Sequence, residues 1–217
     1  MAKTYCTQFV CPFNLVISGS SNTGKTEFVM RLIKNNKEMI TPPVDLIYYC
    51  YKEYQDQFKG VNGVEFFEGF DESIISKENL KGRSVLLILD DLMTQIQENI
   101  LLDIFLVYSH HRRVYPVFIC HNLYYSGLKN MKTLSLNTTY NVIMKNPRDK
   151  SSTRILGSQM FTGQTKWFME AYNYATRESY SYLLIDSKPT QADELRLRTN
   201  IFPGEDMKCF VPHIKGK

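Results

Sequence analysis

Short apolar runs alternate with longer polar stretches along most of this chain. A continuous apolar run of a few residues, rich in β-branched and aromatic side chains, is typical of a strand that is buried on both faces of a sheet. Such runs predict strands over residues 13–18, 45–51, 85–91, 117–120, 140–144 and 180–186, with a shorter one at 65–68. The polar stretches between them therefore hold the helices and loops of the fold.

Helical spacing is visible in several of the intervening stretches. Apolar side chains from Ile96 to Tyr108 recur on one helical face, which predicts an amphipathic helix over 94–109. Further helices are predicted over 24–35, 72–80, 152–159 and 165–176. Strands that alternate with helices predict an α/β fold with a mainly parallel central sheet. The predicted core spans 13–186, between a lead-in at 1–12 and a tail at 187–217 without clear periodicity.

A glycine-rich segment joins the first predicted strand to the first predicted helix. Its residues are Gly19, Ser20, Ser21, Asn22, Thr23, Gly24, Lys25 and Thr26. This is the spacing of a P-loop, in which backbone N–H groups and the positive end of the following helix bind phosphate. Lys25 can reach the β- and γ-phosphates of ATP, and the Thr26 hydroxyl can ligate Mg²⁺. A turn that binds nothing is the simpler alternative, but the strand-to-helix context favours a nucleotide site.

Two acidic residues end the strand predicted at 85–91. An apolar strand that ends in carboxylates is the Walker B pattern, and the carboxyl ends of parallel strands are where α/β sheets place their ligands. We expect Asp90 to hold Mg²⁺ through water and Asp91 to orient or deprotonate the attacking water. The alternative is that both acids cap the following helix.

Polar residues mark two later positions. The helix predicted at 94–109 is closed by His110, His111, Arg112 and Arg113. Cations are favourable at a helix C-terminus, so a purely structural role is one interpretation of this cluster. His121 and Asn122 follow the strand at 117–120 and are expected level with the γ-phosphate, although an ordinary polar strand end would look the same.

The composition is that of a globular protein, with 43% hydrophobic and 22% charged residues. The net charge of +4 is compatible with a nucleic-acid partner but does not indicate one. No apolar run is long enough to span a membrane. The five cysteines include no CxxC pair, which favours a reducing, intracellular compartment without a disulfide framework. Cys209 and His213 have a spacing that a metal can use, but no second pair completes a zinc site.

Taken together, these motifs resemble those of the FtsK–HerA superfamily of P-loop ATPases. The resemblance is closest to the poxvirus-type DNA-packaging ATPases, in the version carried by Polinton/Maverick elements, virophages and adintoviruses. It rests on the P-loop and on segments 88–93, 109–112, 118–122, 145–149, 182–186 and 197–203. The P-loop is generic, and the later segments make the match specific over nearly the whole chain.

The resemblance implies a RecA-like αβα sandwich that assembles as a homo-oligomeric ring, usually a hexamer. It implies that ATP and Mg²⁺ drive double-stranded DNA into a capsid at the assembly site in a host cell, in contact with a capsid or portal protein. Its active sites would lie at subunit interfaces and receive an arginine from the neighbour, either Arg112 or Arg113, of which we favour Arg112. Arg148 is a second candidate for an interface or DNA contact. Further predicted DNA contacts are Lys129, Lys132, Lys145, Lys150 and Arg154.

Two positions depart from the family's pattern. Asp91 stands where the family usually has glutamate, and His121 with Asn122 stands where the sensor is usually glutamine. A ring nitrogen of His121 could donate to the γ-phosphate instead.

Two other functions stay open. One is a phosphotransferase like the nucleotide kinases, which would need an arginine-rich lid that the sequence does not show. The other is a nucleotide-gated capsid-assembly adaptor that hydrolyses ATP slowly.

Overall fold

The computed structural model describes residues 7–124 and 131–212. Lys129 and His213 lie outside these ranges, and so does the side chain of Lys132. The predicted DNA contacts at Lys129 and Lys132 and the Cys209–His213 spacing therefore stay predictions. Within the described residues, no helix combines the length and the apolar character needed to cross a bilayer.

The centre of the fold is a nine-stranded, mainly parallel sheet. The strands of the chain are β1 (Phe9–Val10), β2 (Leu15–Ser18), β3 (Ile40–Thr41), β4 (Leu46–Tyr51), β5 (Glu65–Glu68), β6 (Val85–Asp90), β7 (Val114–Cys120), β8 (Tyr140–Met144), β9 (Tyr182–Asp186), β10 (Leu197–Thr199) and β11 (Lys208–Cys209). The order in the sheet is β11-β10-β9-β8-β2-β7-β6-β4-β5. The strands from β8 to β5 in this order are parallel, and β9, β10 and β11 continue the sheet with antiparallel pairings.

Helices connect the strands. They are α1 (Lys25–Lys34), α2 (Asn36–Met39), α3 (Lys77–Leu80), α4 (Glu98–Asp103), α5 (Ser109–His111), α6 (Met131–Leu136), α7 (Lys150–Met160) and α8 (Thr165–Ala175), with short 3₁₀ turns at Asp56–Phe58, Glu72–Ile75 and Asp193–Leu195. The predicted helix over 94–109 begins later, at Glu98, and a π-helical segment (Ile104–Tyr108) joins α4 to α5. The segment 72–80, which the sequence predicts as one helix, consists of a 3₁₀ turn followed by the short α3.

Successive residues of the central strands point to opposite faces of the sheet, and both faces are buried. Leu86 and Ile88 pack in one hydrophobic cluster with Phe28 of α1. Leu87 and Leu89 pack in the other with residues of the α4–α5 segment and α8, such as Phe105 and Phe168. The continuous apolar runs of the sequence follow from this burial on both faces, and helices on both sides make the fold a three-layer αβα sandwich.

Residues outside the predicted core strands also pair. In the predicted lead-in, β1 forms a small parallel sheet with β3. In the predicted tail, β10 pairs with β9 and β11 pairs with β10. Arg198 of β10 is fully buried and donates to Asp186 Oδ2 at 3.0 Å, so an internal ion pair holds this strand to the sheet.

Candidate nucleotide-binding site

The candidate site lies where three adjacent parallel strands end. β7 lies between β2 and β6 in the sheet. The P-loop follows β2, His121 follows β7, and Asp90 ends β6. Because these strands are parallel, their C-terminal ends meet at one edge, and the predicted site residues that follow them come together there.

Backbone conformation explains the glycines of the P-loop. Gly24 has φ 95°, in the left-handed region that favours glycine, and Asn22 adopts φ 60°. A Cβ added at Gly19 would lie 2.8 Å from Met144 Cβ, because the loop packs directly against the end of β8. The loop is fastened further by Ser20 Oγ, which donates to the Lys145 carbonyl at 3.1 Å. Both glycines are therefore required by geometry.

α1 presents its N-terminus to the loop. Gly24 is the N-cap residue and supplies no side-chain hydrogen bond, so the first N–H groups of α1 have no side-chain cap. The buried residues Phe28, Val29 and Leu32 hold the helix against the sheet. The positive end of a firmly packed helix thus faces the concave loop, which is the arrangement that binds phosphate oxygens.

Lys25 is the buried cation of the site, with 8% of its surface exposed. Its Nζ donates to the carbonyls of Gly19 and Ser20, each at 2.9 Å. Burial lowers the pKa of Lys25, and the carboxylates of Asp90 and Asp91 partly offset this effect. The Lys25 side chain is therefore folded back onto the P-loop, which is where a phosphate group would bind.

Asp90 is buried beneath the same edge of the sheet. Its Oδ2 accepts a hydrogen bond of 2.7 Å from the Tyr49 hydroxyl of β4. Burial raises the pKa of Asp90, whereas the hydrogen bond from Tyr49 and the charge of Lys25 lower it. Among the described residues Oδ1 has no hydrogen-bond donor, so this oxygen is available to a ligand.

Hard oxygen donors suit Mg²⁺, and the site offers them in the expected places. Thr26 is half-buried in the first turn of α1, beside Lys25. With the free oxygen of Asp90 it makes a sparse donor set, of the kind that leaves room for water and phosphate oxygens around the ion. The residues present therefore fit a Mg²⁺–nucleotide complex.

His121 lies between Lys25 and Asp91. Its Nδ1 is 3.5 Å from Lys25 Nζ, and its Nε2 is 3.6 Å from Asp91 Oδ1. Since the lysine can only donate, Nδ1 is the acceptor and Nε2 carries the proton towards Asp91. Asp91 is exposed and adopts φ 55°, a conformation that aspartate tolerates better than most residues. The three side chains form a polar row across the mouth of the site.

Asn122 contacts the loop after β8 instead of Lys25. Its Oδ1 is 3.5 Å from Nδ2 of Asn146, in the loop after β8. Asn146 is buried, and its backbone N–H donates to the Tyr172 hydroxyl at 3.0 Å. Of the two candidate sensor residues, His121 is therefore the one in contact with the P-loop lysine.

The candidate arginines lie at the opposite ends of the parallel strands from the P-loop. Both precede β7, so the length of that strand, about 20 Å, separates them from the P-loop of their own chain. The Arg112 guanidinium lies 3.6 Å from the centre of the Tyr108 ring, and Arg113 Nη1 donates to the Gly82 carbonyl at 3.1 Å. A part in hydrolysis would require a second copy of the chain.

The described candidates for DNA contact lie near the P-loop. Lys145 and Arg148 are exposed in the loop between β8 and α7, and Lys150 and Arg154 are exposed on the first turns of α7. Lys145 is tied to the P-loop through its carbonyl. The structure therefore brings these cations together at the edge that carries the site.

Sequence reasoning missed Tyr49 and Tyr180. Tyr49 appeared only as one residue of a buried strand, and its contact with Asp90 depends on which strands are adjacent. The sequence predicts that Tyr180 lies inside a strand, whereas β9 begins at Tyr182 and Tyr180 is an exposed loop residue beside Gly24. No local signal distinguishes either tyrosine from the other aromatic residues of the chain.

The chain thus has the α/β fold of the RecA-like P-loop NTPases. Solved structures of similar fold include the genome packaging NTPase B204 from Sulfolobus turreted icosahedral virus 2. Its complex with AMPPCP matches at a TM-score of 0.59 and 13% identity, and its complex with AMP at 0.52 and 11%, each over 93% of this chain and 98% of that chain.

A second similar structure is the cytoplasmic domain of the type VII secretion ATPase EccC from Thermomonospora curvata. It matches at a TM-score of 0.52 and 12% identity, over 82% of this chain and 24% of that chain. No protein-family model matches the sequence, and no curated protein matches it in sequence. The structural matches confirm the predicted mainly parallel α/β fold and agree, at the level of the fold, with the resemblance to viral packaging ATPases.

Proposed function

We propose that the chain is an ATPase that uses ATP hydrolysis to move double-stranded DNA into a capsid. The observation that carries the proposal is the meeting of Lys25, His121, Asp91 and Asp90 at the N-terminus of α1. A cation, two carboxylates and a helix N-terminus at one edge of a parallel sheet are what binding and hydrolysis of a nucleoside triphosphate need.

Each residue has a defined task in the proposed reaction. The P-loop amides and Lys25 hold the β- and γ-phosphates, and Thr26 and Asp90 would hold Mg²⁺, which neutralises charge on the phosphates when it is bound. Asp91 orients a water molecule and accepts its proton as the water oxygen attacks the γ-phosphorus. The bond from the γ-phosphorus to the bridging oxygen breaks, and ADP and phosphate leave. When the nucleotide is bound, His121 donates from Nε2 to a γ-phosphate oxygen instead of towards Asp91, which is then left to accept the proton of the water.

Genome packaging as the purpose of hydrolysis is supported by the match to B204, which is itself a genome packaging NTPase. The exposed cations between Lys145 and Arg154 offer sequence-independent contacts to DNA phosphates beside the P-loop. The position of Arg112 and Arg113 at the far edge supports a ring in which one subunit's arginine completes the next subunit's site. We propose a hexamer for this ring and a capsid or portal protein as its docking partner.

The test is steady-state ATP hydrolysis with and without long double-stranded DNA, over a range of salt concentrations. We expect DNA to stimulate turnover and the stimulation to fade as salt rises, because phosphate contacts release counterions. Lys25→Ala should abolish turnover. Lys34→Ala, an exposed lysine at the other end of α1, is the matched control and should behave as the native chain.

Other outcomes would separate the alternatives. Phosphate transfer to a nucleotide acceptor by a monomer or dimer would indicate a phosphotransferase. Slow, DNA-independent turnover with tight binding to capsid protein would indicate the adaptor. Absence of nucleotide binding would contradict all three.

A further inference from the structure

The strand order fixes the direction in which a nucleotide lies on the site. Asp90 and His121 follow β6 and β7, which lie on one side of β2, so the γ-phosphate end faces that side. On the other side of β2 lie β8 and then β9. A nucleotide whose γ-phosphate is beside His121 therefore extends its nucleoside towards the ends of β8 and β9.

Tyr180 lies at that end of the sheet. β9 is antiparallel to β8, and Tyr182 at its start pairs with Met144 at the end of β8. The loop that contains Tyr180 therefore reaches the same edge as the P-loop. A Cβ added at Gly24 would lie 3.1 Å from Tyr180 Cδ1 and 3.2 Å from its Cβ, so the tyrosine packs directly against the last glycine of the P-loop.

Tyr180 has two unusual properties. It is 69% exposed, although a ring of this size normally buries much of its surface. Its φ of 62° lies in the left-handed region, where a non-glycine residue is uncommon and strained, and such strain is concentrated at functional sites. Beside the phosphate-binding loop, a residue with a strained backbone thus carries an exposed aromatic ring.

We propose that Tyr180 is the stacking surface for the base of the nucleotide bound in the P-loop. This inference rests on the proposed nucleotide site and adds the position and the chemistry of its nucleoside half. Every base has an aromatic face, so a stacking surface binds the nucleoside without reading its hydrogen-bonding edge.

Isothermal titration of the full chain with ATP and with inorganic tripolyphosphate tests this assignment. Tripolyphosphate occupies the P-loop but has no base. We expect Tyr180→Ala to weaken ATP binding by about tenfold or more and to leave tripolyphosphate binding unchanged. Tyr180→Phe should keep both affinities, because the ring alone stacks. Lys25→Ala should weaken both ligands.

Two further variants exclude indirect effects. Tyr180→Gly removes the ring and suits the left-handed backbone, so a loss of ATP affinity shared by the alanine and glycine variants reports the ring rather than a folding defect. Tyr174→Ala is the matched control, since that exposed ring packs against Phe210 and lies beneath Arg177.

The assignment is overturned if Tyr180→Ala leaves ATP affinity unchanged, or if it weakens ATP and tripolyphosphate equally, which would make Tyr180 a support for the loop. A native chain that binds tripolyphosphate and ATP with equal affinity would overturn it as well, while the phosphate site would stand. A native chain that binds neither ligand would contradict the proposed function, and this inference with it.

Discussion

Tyr49 donates its hydroxyl hydrogen to Asp90 Oδ2 at 2.7 Å, from the strand next to the one that Asp90 ends. Both residues are buried, so little water competes for the contact. The hydrogen bond fixes one carboxylate oxygen of Asp90 and leaves the other for a ligand. It also stabilises the ionised form of a carboxyl group whose pKa is raised by burial.

Tyr49→Phe should move the acidic limb of the pH–activity profile to higher pH. Burial raises the pKa of Asp90, and the hydrogen bond from Tyr49 opposes this rise, so its removal raises the pKa further. At a given acidic pH, Asp90 is then protonated in a larger fraction of the molecules, and the protonated side chain cannot hold Mg²⁺. We expect a shift of up to about one pH unit in kcat/KM, the equivalent of one hydrogen bond.

The matched control for this experiment is Tyr48→Phe, because the neighbouring Tyr48 is also buried but packs its ring against Phe67 on the other face. An acidic limb that stays in place in Tyr49→Phe, or moves to lower pH, would show that Tyr49 does not govern the ionisation of Asp90.

His121→Ala should lower kcat about a hundredfold, the usual effect of removing one preorganised hydrogen-bond donor from a transition state. His121→Gln should keep more activity, because its amide can accept from Lys25 and also donate towards the γ-phosphate. Measurement of kcat and KM for both variants checks this, with Lys34→Ala as the control. Equal activities for alanine and glutamine would argue against a hydrogen-bonding role.

Arg112→Ala should abolish hydrolysis although Arg112 lies at the far edge of its own subunit. If each site combines the P-loop of one subunit with the arginine of the next, a mixture of Arg112→Ala and Lys25→Ala chains contains some interfaces with both native residues. We therefore expect the mixture to regain part of the activity that each variant lacks. Titration of one variant against the other at constant total protein measures this.

Arg113→Ala is the comparison for the mixing experiment, because the Arg113 side chain already donates a hydrogen bond to the Gly82 carbonyl of its own subunit. If Arg112→Ala has native activity and Arg113→Ala does not, the finger is Arg113. If neither variant loses activity, the site does not use an arginine from this segment.

Arg198→Met should destabilise the fold by about 3–5 kcal/mol, because it leaves the carboxylate of Asp186 buried without its partner. The double variant Asp186→Leu with Arg198→Met should recover much of this loss, since no unpaired charge remains. Urea denaturation gives both free energies of unfolding. Arg177→Ala, which breaks an exposed pair with Glu178, should change little, and an equally small effect of Arg198→Met would contradict the role of the buried pair.

The sequence was sufficient for those parts of the fold that depend on local pattern. The P-loop has a fixed spacing, and the strands at 85–90 and 140–144 are short segments of mostly apolar residues, so these elements could be recognised without knowledge of their neighbours. Because parallel strands end at a common edge, the meeting of Asp90 and His121 with the P-loop could also be expected.

Features that depend on long-range pairing could not be predicted. β1, β3 and β11 are two-residue strands, too short to show a period, and they exist because a distant segment pairs with them. The earlier start of β7, at Val114 instead of the predicted residue 117, also depends on pairing, because residues 114–116 pair with β6 whereas β2 pairs with β7 only from Val117 onward. The Tyr49–Asp90 hydrogen bond likewise requires the strand order.

Triplex displacement shows whether ATP hydrolysis moves this protein along double-stranded DNA. A labelled third strand is bound to one end of a long duplex, and its release is followed after addition of the native chain with ATP. We expect release that needs hydrolysable ATP, is absent with Lys25→Ala, and is delayed as the duplex ahead of the triplex is lengthened. DNA-stimulated hydrolysis without any release of the third strand would contradict translocation along DNA.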